Sequence, residues 1–356
     1  LQGGQKPFLL TEVQNGLGKS TTLEYSTSTE LMRVAEPQAA CGVGSDPWAT
    51  KWCSKMPTVA HVVKRVSEHD NITIRGRPPA TYVTEYEYRD PVFEGRQREF
   101  RGFARARARR LGDVNSPTDV SERVFLIGEC LDPNNGSAWD GVDVGHYCAP
   151  PDRWRDNLQE ALKGLPVETH RYDVKGVHLS STENIYTIRT LYAGLDGRAV
   201  RYAFLSQADT LLYDTARNHA ARVGIARSGW IDEAASPAAG PQAAAPTVYA
   251  AGMAHLRSRS EVDNYGNQTT SRNLGCVGGD ACPTHDAASY EATDETITQV
   301  TVPQRVTEHS GGWLWRTQTS YVVGSRDTTE RKKATTSYDN LGRPVLVTVI
   351  LNGSGG

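Results

Sequence analysis

Apolar and polar residues alternate with a period of two along most of this chain. In Thr81-Tyr82-Val83-Thr84-Glu85-Tyr86-Glu87-Tyr88, the residues Tyr82, Thr84, Tyr86 and Tyr88 share one face, while Val83, Glu85 and Glu87 share the other. That is the pattern of a strand with an aromatic side and a wetter side. Similar segments run over Thr21 to Tyr25, Val59 to Val66, Val124 to Ile127, Val167 to Val174, Ile185 to Tyr192 and Ala199 to Leu205. Others cover Leu256 to Val262, Ile297 to Val302, Trp313 to Val323 and Ala334 to Tyr338. Gly, Asn and Asp turns separate them, and the pattern predicts an all-β fold of stacked antiparallel hairpins.

The spacing predicts one helix. Asp152 stands at an N-cap position before Arg153 to Lys163, Trp154, Leu158, Ala161 and Leu162 follow a 3.6-residue repeat, and Gly164 stops it. Residues 234–247, containing SPAAGPQAAAP, lack strand formers and read as a long exposed loop. The best candidate break lies near Leu111 to Thr118.

Composition narrows the function classes. The 356 residues carry a formal net charge of -2, which argues against a nucleic-acid binder. No apolar run approaches the ~18 residues needed to span a membrane as a helix. Tyr (15) outnumbers Phe (6), and the 33 glycines suit tight turns. Leu1 opens no signal-type segment, and the strand-like Val345 to Leu351 runs straight into Asn352-Gly353-Ser354-Gly355-Gly356, so the sequence reads as an internal piece of a longer chain.

The six cysteines fall into three local pairs: Cys41 with Cys53, Cys130 with Cys148, and Cys276 with Cys282. Each pair brackets a stretch rich in loop-forming residues. The gaps do not match zinc-type spacing, so disulfides in an oxidising, secreted setting are the expectation. No cofactor and no metal are expected.

Two segments echo each other: Val262-Asp263-Asn264-Tyr265-Gly266-Asn267-Gln268-Thr269 and Tyr338-Asp339-Asn340-Leu341-Gly342-Arg343-Pro344. Gln14-Asn15-Gly16-Leu17-Gly18-Lys19 is a weaker copy. The common unit is strand, Asp-Asn-x-Gly turn, strand. It resembles the YD repeat of Rhs proteins, with repeat-turn residues Asp263, Asn264, Gly266, Asn267, Tyr338, Asp339 and Gly342. A more specific likeness is to the middle region of Tc insecticidal toxin B components. It rests on Lys6-Pro7-Phe8-Leu9-Leu10-Thr11 with Asn15-Gly16-Leu17-Gly18, and on Pro57-Thr58-Val59-Ala60-His61-Val62-Val63. The sharpest part is Tyr88-Arg89-Asp90 through Glu94-Gly95, then Arg98-Glu99-Phe100-Arg101-Gly102-Phe103; Leu256 to Thr269 adds a later match.

The likeness covers about half the chain and lapses at Pro37 to Met56, Asn115 to Pro151, Asn218 to Val248 and Gly275 to Ala288, which hold or border all three cysteine pairs. It implies strands wound as a curved spiral shell that encloses a C-terminal toxin, with this chain as wall and not cargo. The implied regions are 1–110 (middle-N-like), 111–275 (middle-C-like, with the 153–163 helix and the 234–247 loop) and 276–356 (start of YD repeats). The implied partners are the rest of the parent shell, its enclosed toxin segment and other toxin-complex subunits.

Within Arg98 to Phe103, the two phenylalanines are three residues apart and would face opposite ways in a regular strand. A bulge at Gly102 would put both on one face. Beyond it, Arg105, Arg107 and Arg109 alternate with Ala104, Ala106 and Ala108. The cationic face would hold an acidic partner, or pair with Glu85, Glu87, Glu94 and Glu99 on neighbouring strands; the second reading is favoured because the chain is not basic overall.

Other candidates are weaker. Gly16-Leu17-Gly18-Lys19-Ser20-Thr21 lacks the first glycine of a phosphate loop and reads as a hairpin turn. Asp132-Pro133-Asn134-Asn135-Gly136 with Asp140 and Asp143 lacks calcium-loop spacing. The nine histidines include no i, i+4 pair, and there is no G-x-S-x-G, so no catalytic residue is assigned and an enzyme is not expected. Two alternatives to a shell segment stay open. One is an extracellular adhesion or glycan-binding module using Trp313 and Trp315. The other is a metal-dependent hydrolase using Asp132, Asp140, Asp143 and His146.

Overall fold

The computed structural model describes residues 8–34, 40, 47–53, 56–73, 76, 78–94, 98–128, 157–213, 230–233, 252–279, 281–282, 296–305 and 315–350. Most of them are strand, and the printed pairings are antiparallel except that of one short strand, as the alternation predicts. The chain divides into two compact units: Leu1–Leu179 with Asn218–Ala220, and Ser180–Arg217 with Ala221–Gly356.

In the first unit the strands are β1 (Glu12–Gln14), β2 (Ser20–Thr27), β3 (His61–His69), β4 (Thr81–Glu94), β5 (Glu99–Arg110), β6 (Asp119–Phe125) and β7 (Pro166–Asp173). They are hydrogen-bonded in sequence order. Each successive pair is antiparallel. The apolar core gathers Val92, Ala104 and Ile127, with Phe125 packed against them. Val120, Val124, Leu126, Leu162 and Val167 are also buried. Each such side chain stabilises by roughly 1.5–3 kcal/mol relative to exposure.

The α-helix of this unit is α1 (Ser28–Val34), which the sequence reading did not anticipate. Thr27 Oγ1 accepts from the Glu30 N–H at 3.2 Å, and Glu30 in turn accepts from Ser26 Oγ at 2.8 Å. Thr27-Ser28-Thr29-Glu30 is therefore a capping sequence, legible in principle.

The expected helix over 153–163 needs correction. Residues 153–156 lie outside the described residues, and Leu158–Leu162 is a 3-10 helix. Asn157 caps it, its side chain accepting from Gln159 N–H, and Gly164 at φ 80° closes it. Its backbone bonds run three residues apart, Lys163 N–H to Glu160 O and Leu165 N–H to Leu162 O. Five residues between cap and stop leave little room for an α ladder.

The second unit holds β8 (His178–Ala193), β9 (Ala199–Tyr213), β10 (Trp230–Asp232), β11 (Met253–Val262), β12 (Gln268–Gly278), β13 (Ile297–Arg305), β14 (Trp315–Gly324), β15 (Arg331–Tyr338) and β16 (Pro344–Ile350). The order is again sequential, except that β9 pairs directly with β11 and β10 lies parallel to β8. Ile185, Ile188, Leu211, Met253 and Leu274 form its buried apolar positions. The 234–247 loop lies outside the described residues.

Candidate functional site

The Arg98–Phe103 block opens β5. Val92 pairs with Gly102 and Phe93 with Phe100, so Arg101 is one residue too many for its partner strand. Gly102 sits at φ 106°, a backbone conformation that side-chain-bearing residues avoid. The resulting bulge puts Phe100 and Phe103 on the same side, ring centroids 5.5 Å apart and edge-to-face. Arg98 at φ 54° precedes the strand.

The bulge aims Arg101 inward, where its side chain is 2% exposed. It donates to the carbonyls of Gly128 (2.5 Å) and Ile127 (3.4 Å) and to Glu160 Oε2 (2.7 Å). Asn157 Nδ2 donates to the same Gly128 carbonyl at 2.6 Å. Glu160 also accepts from Lys163, which in turn reaches Glu99 at 2.8 Å. Burial would raise the Glu160 carboxyl, but its bonds to Lys163 and Arg101 hold it below the usual carboxylate range.

Arg89 and Asp90 make a second anchor on β4. Their side chains are 3% and 6% exposed and bonded at 2.9 Å. Asp90 takes a left-handed φ of 55° in mid-strand, and its other oxygen accepts from the Cys53 N–H at 2.7 Å. Arg89 donates to the carbonyls of Thr50 (3.2 Å) and Lys51 (2.9 Å). Two arginines of the motif, each with a carboxylate partner, thus grip backbone carbonyls far from them in sequence.

Two arginines of the cationic face of β5 have carboxylates close by within the unit. Arg107 lies 3.6 Å from Glu87 and 3.7 Å from Glu122, and Arg105 lies 3.7 Å from Glu122. Glu85 pairs with Arg65 instead, and Glu99 with Lys163. The partner that sequence reasoning missed is Glu122 on β6. Tyr172 donates to it at 3.1 Å, and burial together with that carboxylate pushes the phenol up.

The hairpin turns share one geometry. In both Asp263 and Asp339, one carboxylate oxygen accepts from the N–H groups two and four residues on: Tyr265 and Asn267, or Leu341 and Arg343. Gly266 (φ 83°) and Gly342 (φ 73°) supply the positive φ. Asn15 does the same for Leu17 and Lys19, which confirms Gly16-Leu17-Gly18-Lys19 as a turn. Asp173 repeats the pattern with Lys175 and Val177, a copy the sequence reading overlooked although D-x-x-G is plain in it. Backbone and side-chain bonds from Arg343 hold the Asp339 carboxyl below its ordinary value. Asn264 is exposed in its turn, and Tyr338 donates to the Thr317 carbonyl at 2.7 Å.

Cys276 and Cys282 are disulfide-bonded, with Cα atoms 5.7 Å apart. Cys53 is also disulfide-bonded. Cys41, Cys130 and Cys148 lie outside the described residues, as do Trp313 and the Asp132, Asp140, Asp143 and His146 group. Trp315 stacks on Tyr265 with centroids 4.7 Å apart, a pairing between β14 and the β11–β12 turn. In the second unit, Asp209 and His255 are fully buried and bonded at 2.6 Å. Asp209 also accepts from Arg257 (2.7 Å) and Gln207 (2.6 Å).

Comparison with known proteins fits this geometry. The family model described as the insecticide toxin TcdB middle/N-terminal region matches residues 2–121, the stretch that holds both motif blocks. Over that stretch the chain is related to the TcdB middle region. Among solved structures, the crystal structure of TcdB2-TccC3-TEV aligns at TM-score 0.57 and 13% identity over 96% of this chain. TcdB2-TccC3 without its hypervariable C-terminal region aligns at 0.56 and 15%, again over 96%. The Photorhabdus luminescens Tc holotoxin pore carrying a TccC3 mutation aligns at 0.56 and 13% over 95%. The chain spans 17–18% of those chains, and at this identity the likeness is one of fold. No curated protein sequence matches the chain.

Proposed function

We propose that this chain is a non-catalytic wall segment of a secreted Tc-type toxin shell, one that encloses a C-terminal toxin or effector. The observation that supports it best is the alignment of 95–96% of the chain with Tc components. The sequential antiparallel order of the strands agrees, because such a sheet extends by adding the next hairpin. The buried anchors and Asp turns have a structural use, which suits wall and not active site. The partners on this reading are the remainder of the parent shell, its enclosed segment and a second toxin-complex subunit such as the TccC3 named with the solved TcdB2. Disulfide bonding at Cys53, Cys276 and Cys282 supports an oxidising compartment.

The test is the parent protein expressed whole. Electron cryomicroscopy should show both units within a continuous hollow wall, and limited proteolysis should spare the enclosed segment until the wall is cut. Two separate globules flanking a protease-sensitive C-terminal segment would refute the shell.

A further inference from the structure

The first unit contains a cleft of about 400 Å³ bounded by α1, residues 47–53 and strands β3 to β5. Nothing in the wall reading uses it. Its volume falls within the range of small-molecule sites, and its lining combines aromatic rings with a few convergent polar groups. We propose that this cleft binds a neutral saccharide unit.

Three observations point to that class. First, Trp48, Trp52 and Tyr86 line the cleft and all keep part of their surface exposed. Such rings offer a flat apolar surface to the C–H face of a sugar ring. Trp52 is braced by Phe103, centroids 6.2 Å apart and edge-to-face, and Trp48 by the Arg107 guanidinium 4.2 Å over its ring.

Second, hydrogen-bonding groups remain at the wall. The Arg107 side chain lines the cleft and is 24% exposed. Its terminal nitrogens stand 3.6 Å from Glu87 and 3.7 Å from Glu122, beyond hydrogen-bonding range of either carboxylate. Glu87 is 58% exposed at the rim, and Glu30 carries one bond, from Ser26. Donor and acceptor set around an aromatic surface match vicinal hydroxyls, each of which both donates and accepts.

Third, the charges are matched. Arg65 is paired with Glu85, Arg89 with Asp90, and Arg107 lies between Glu87 and Glu122, while Lys64 and Glu30, one of each sign, also line the cleft. An anion would meet Glu30 and Glu87, and a cation would meet Lys64 and Arg107, so a neutral ligand fits best. Of the pair Trp313 and Trp315 expected from sequence to hold sugars, Trp313 lies outside the described residues and Trp315 packs on Tyr265 with centroids 4.7 Å apart.

The test uses the full chain on a glycan array, followed by calorimetry with the saccharide that binds. Trp52→Ala should weaken binding about tenfold or more, and Glu87→Gln at the exposed rim should weaken it with no change in thermal unfolding. Trp315→Ala should bind as the parent chain does. A folded chain with no array signal, or a saccharide whose affinity survives both Trp52→Ala and Glu87→Gln, would overturn the proposal. Binding confined to charged ligands would do so as well. If Trp52→Ala does not fold, Glu87→Gln and protection of the cleft tryptophans from acrylamide quenching by the saccharide carry the decision.

Discussion

Replacing Asp209 with Asn should destabilise the second unit by about 3–5 kcal/mol. The carboxylate is fully buried and receives His255 Nε2 at 2.6 Å, Arg257 Nε at 2.7 Å and Gln207 Nε2 at 2.6 Å. Asn keeps the shape but removes the charge and turns one acceptor into a donor. Arg257, 12% exposed, would then lose its anion. Each hydrogen bond to a charged group is worth about 1.5–3 kcal/mol, and the three share one anion, so their losses overlap and do not add. For a unit of this size the loss corresponds to a fall in midpoint of roughly 6–20 °C. Differential scanning calorimetry at pH 7 would read it, with urea unfolding as a second measure.

The pH dependence follows from the same group. Burial would raise the Asp209 carboxyl, yet bonds from His255, Arg257 and Gln207 hold it below its ordinary value. Its contribution is therefore present above the unfolded-state value of about 3.9 and is lost as pH falls through the folded-state value. The parent chain should lose stability below about pH 4 more steeply than Asp209→Asn. A cost under 1 kcal/mol, or parallel acid profiles, would show that the network is not an obligatory charge cluster.

Four further outcomes are expected. Gly102→Ala finds open space for its Cβ but must hold φ 106°, so it should cost about 1–3 kcal/mol in urea unfolding. Arg101→Lys should lose about 2–4 kcal/mol, because one ammonium cannot span two carbonyls and Glu160 as a guanidinium fork does; calorimetry of the first unit measures it. Replacing Cys276 and Cys282 together by Ala removes a crosslink of sequence separation 6 and should cost about 2 kcal/mol, read as a lowered midpoint under oxidising conditions and a smaller response to dithiothreitol than the parent chain shows. Strand β16, seven residues without a charge and with Val347 57% exposed, pairs only with β15 among the described residues; Val347→Lys should reduce self-association in light scattering.

Local physics was legible in the sequence, and long-range physics was not. Alternation located the strands because burial on one face imposes period two over a few consecutive residues. The bulge at Gly102 could be read because Phe100 and Phe103 are neighbours. By contrast, Glu122, Glu160 and Gly128 are partners of the Arg107 and Arg101 region across gaps that no local pattern spans. The helix signal near 153–163 overstated itself because periodicity ignores where a cap and a stop fall. The α1 capping sequence was passed over because two threonines and two serines also suit a strand.

On the proposed wall role, three arginines show how strands can hold the segments between them. Arg89 donates to the carbonyls of Thr50 and Lys51, Arg101 to those of Ile127 and Gly128, and Arg189 to those of Val262 and Asp263. A main-chain carbonyl is present whatever side chain stands there. An anchor that reads carbonyls therefore tolerates sequence change in the gripped segment, while the guanidinium itself keeps a carboxylate close by: Asp90, Glu160 or Glu233. Arg89 and Arg101 both lie inside the matched residues 2–121 and reach carbonyls of segments distant in sequence. Such anchors would hold those segments to the sheet whatever side chains they carry, without any change in how the strands pair.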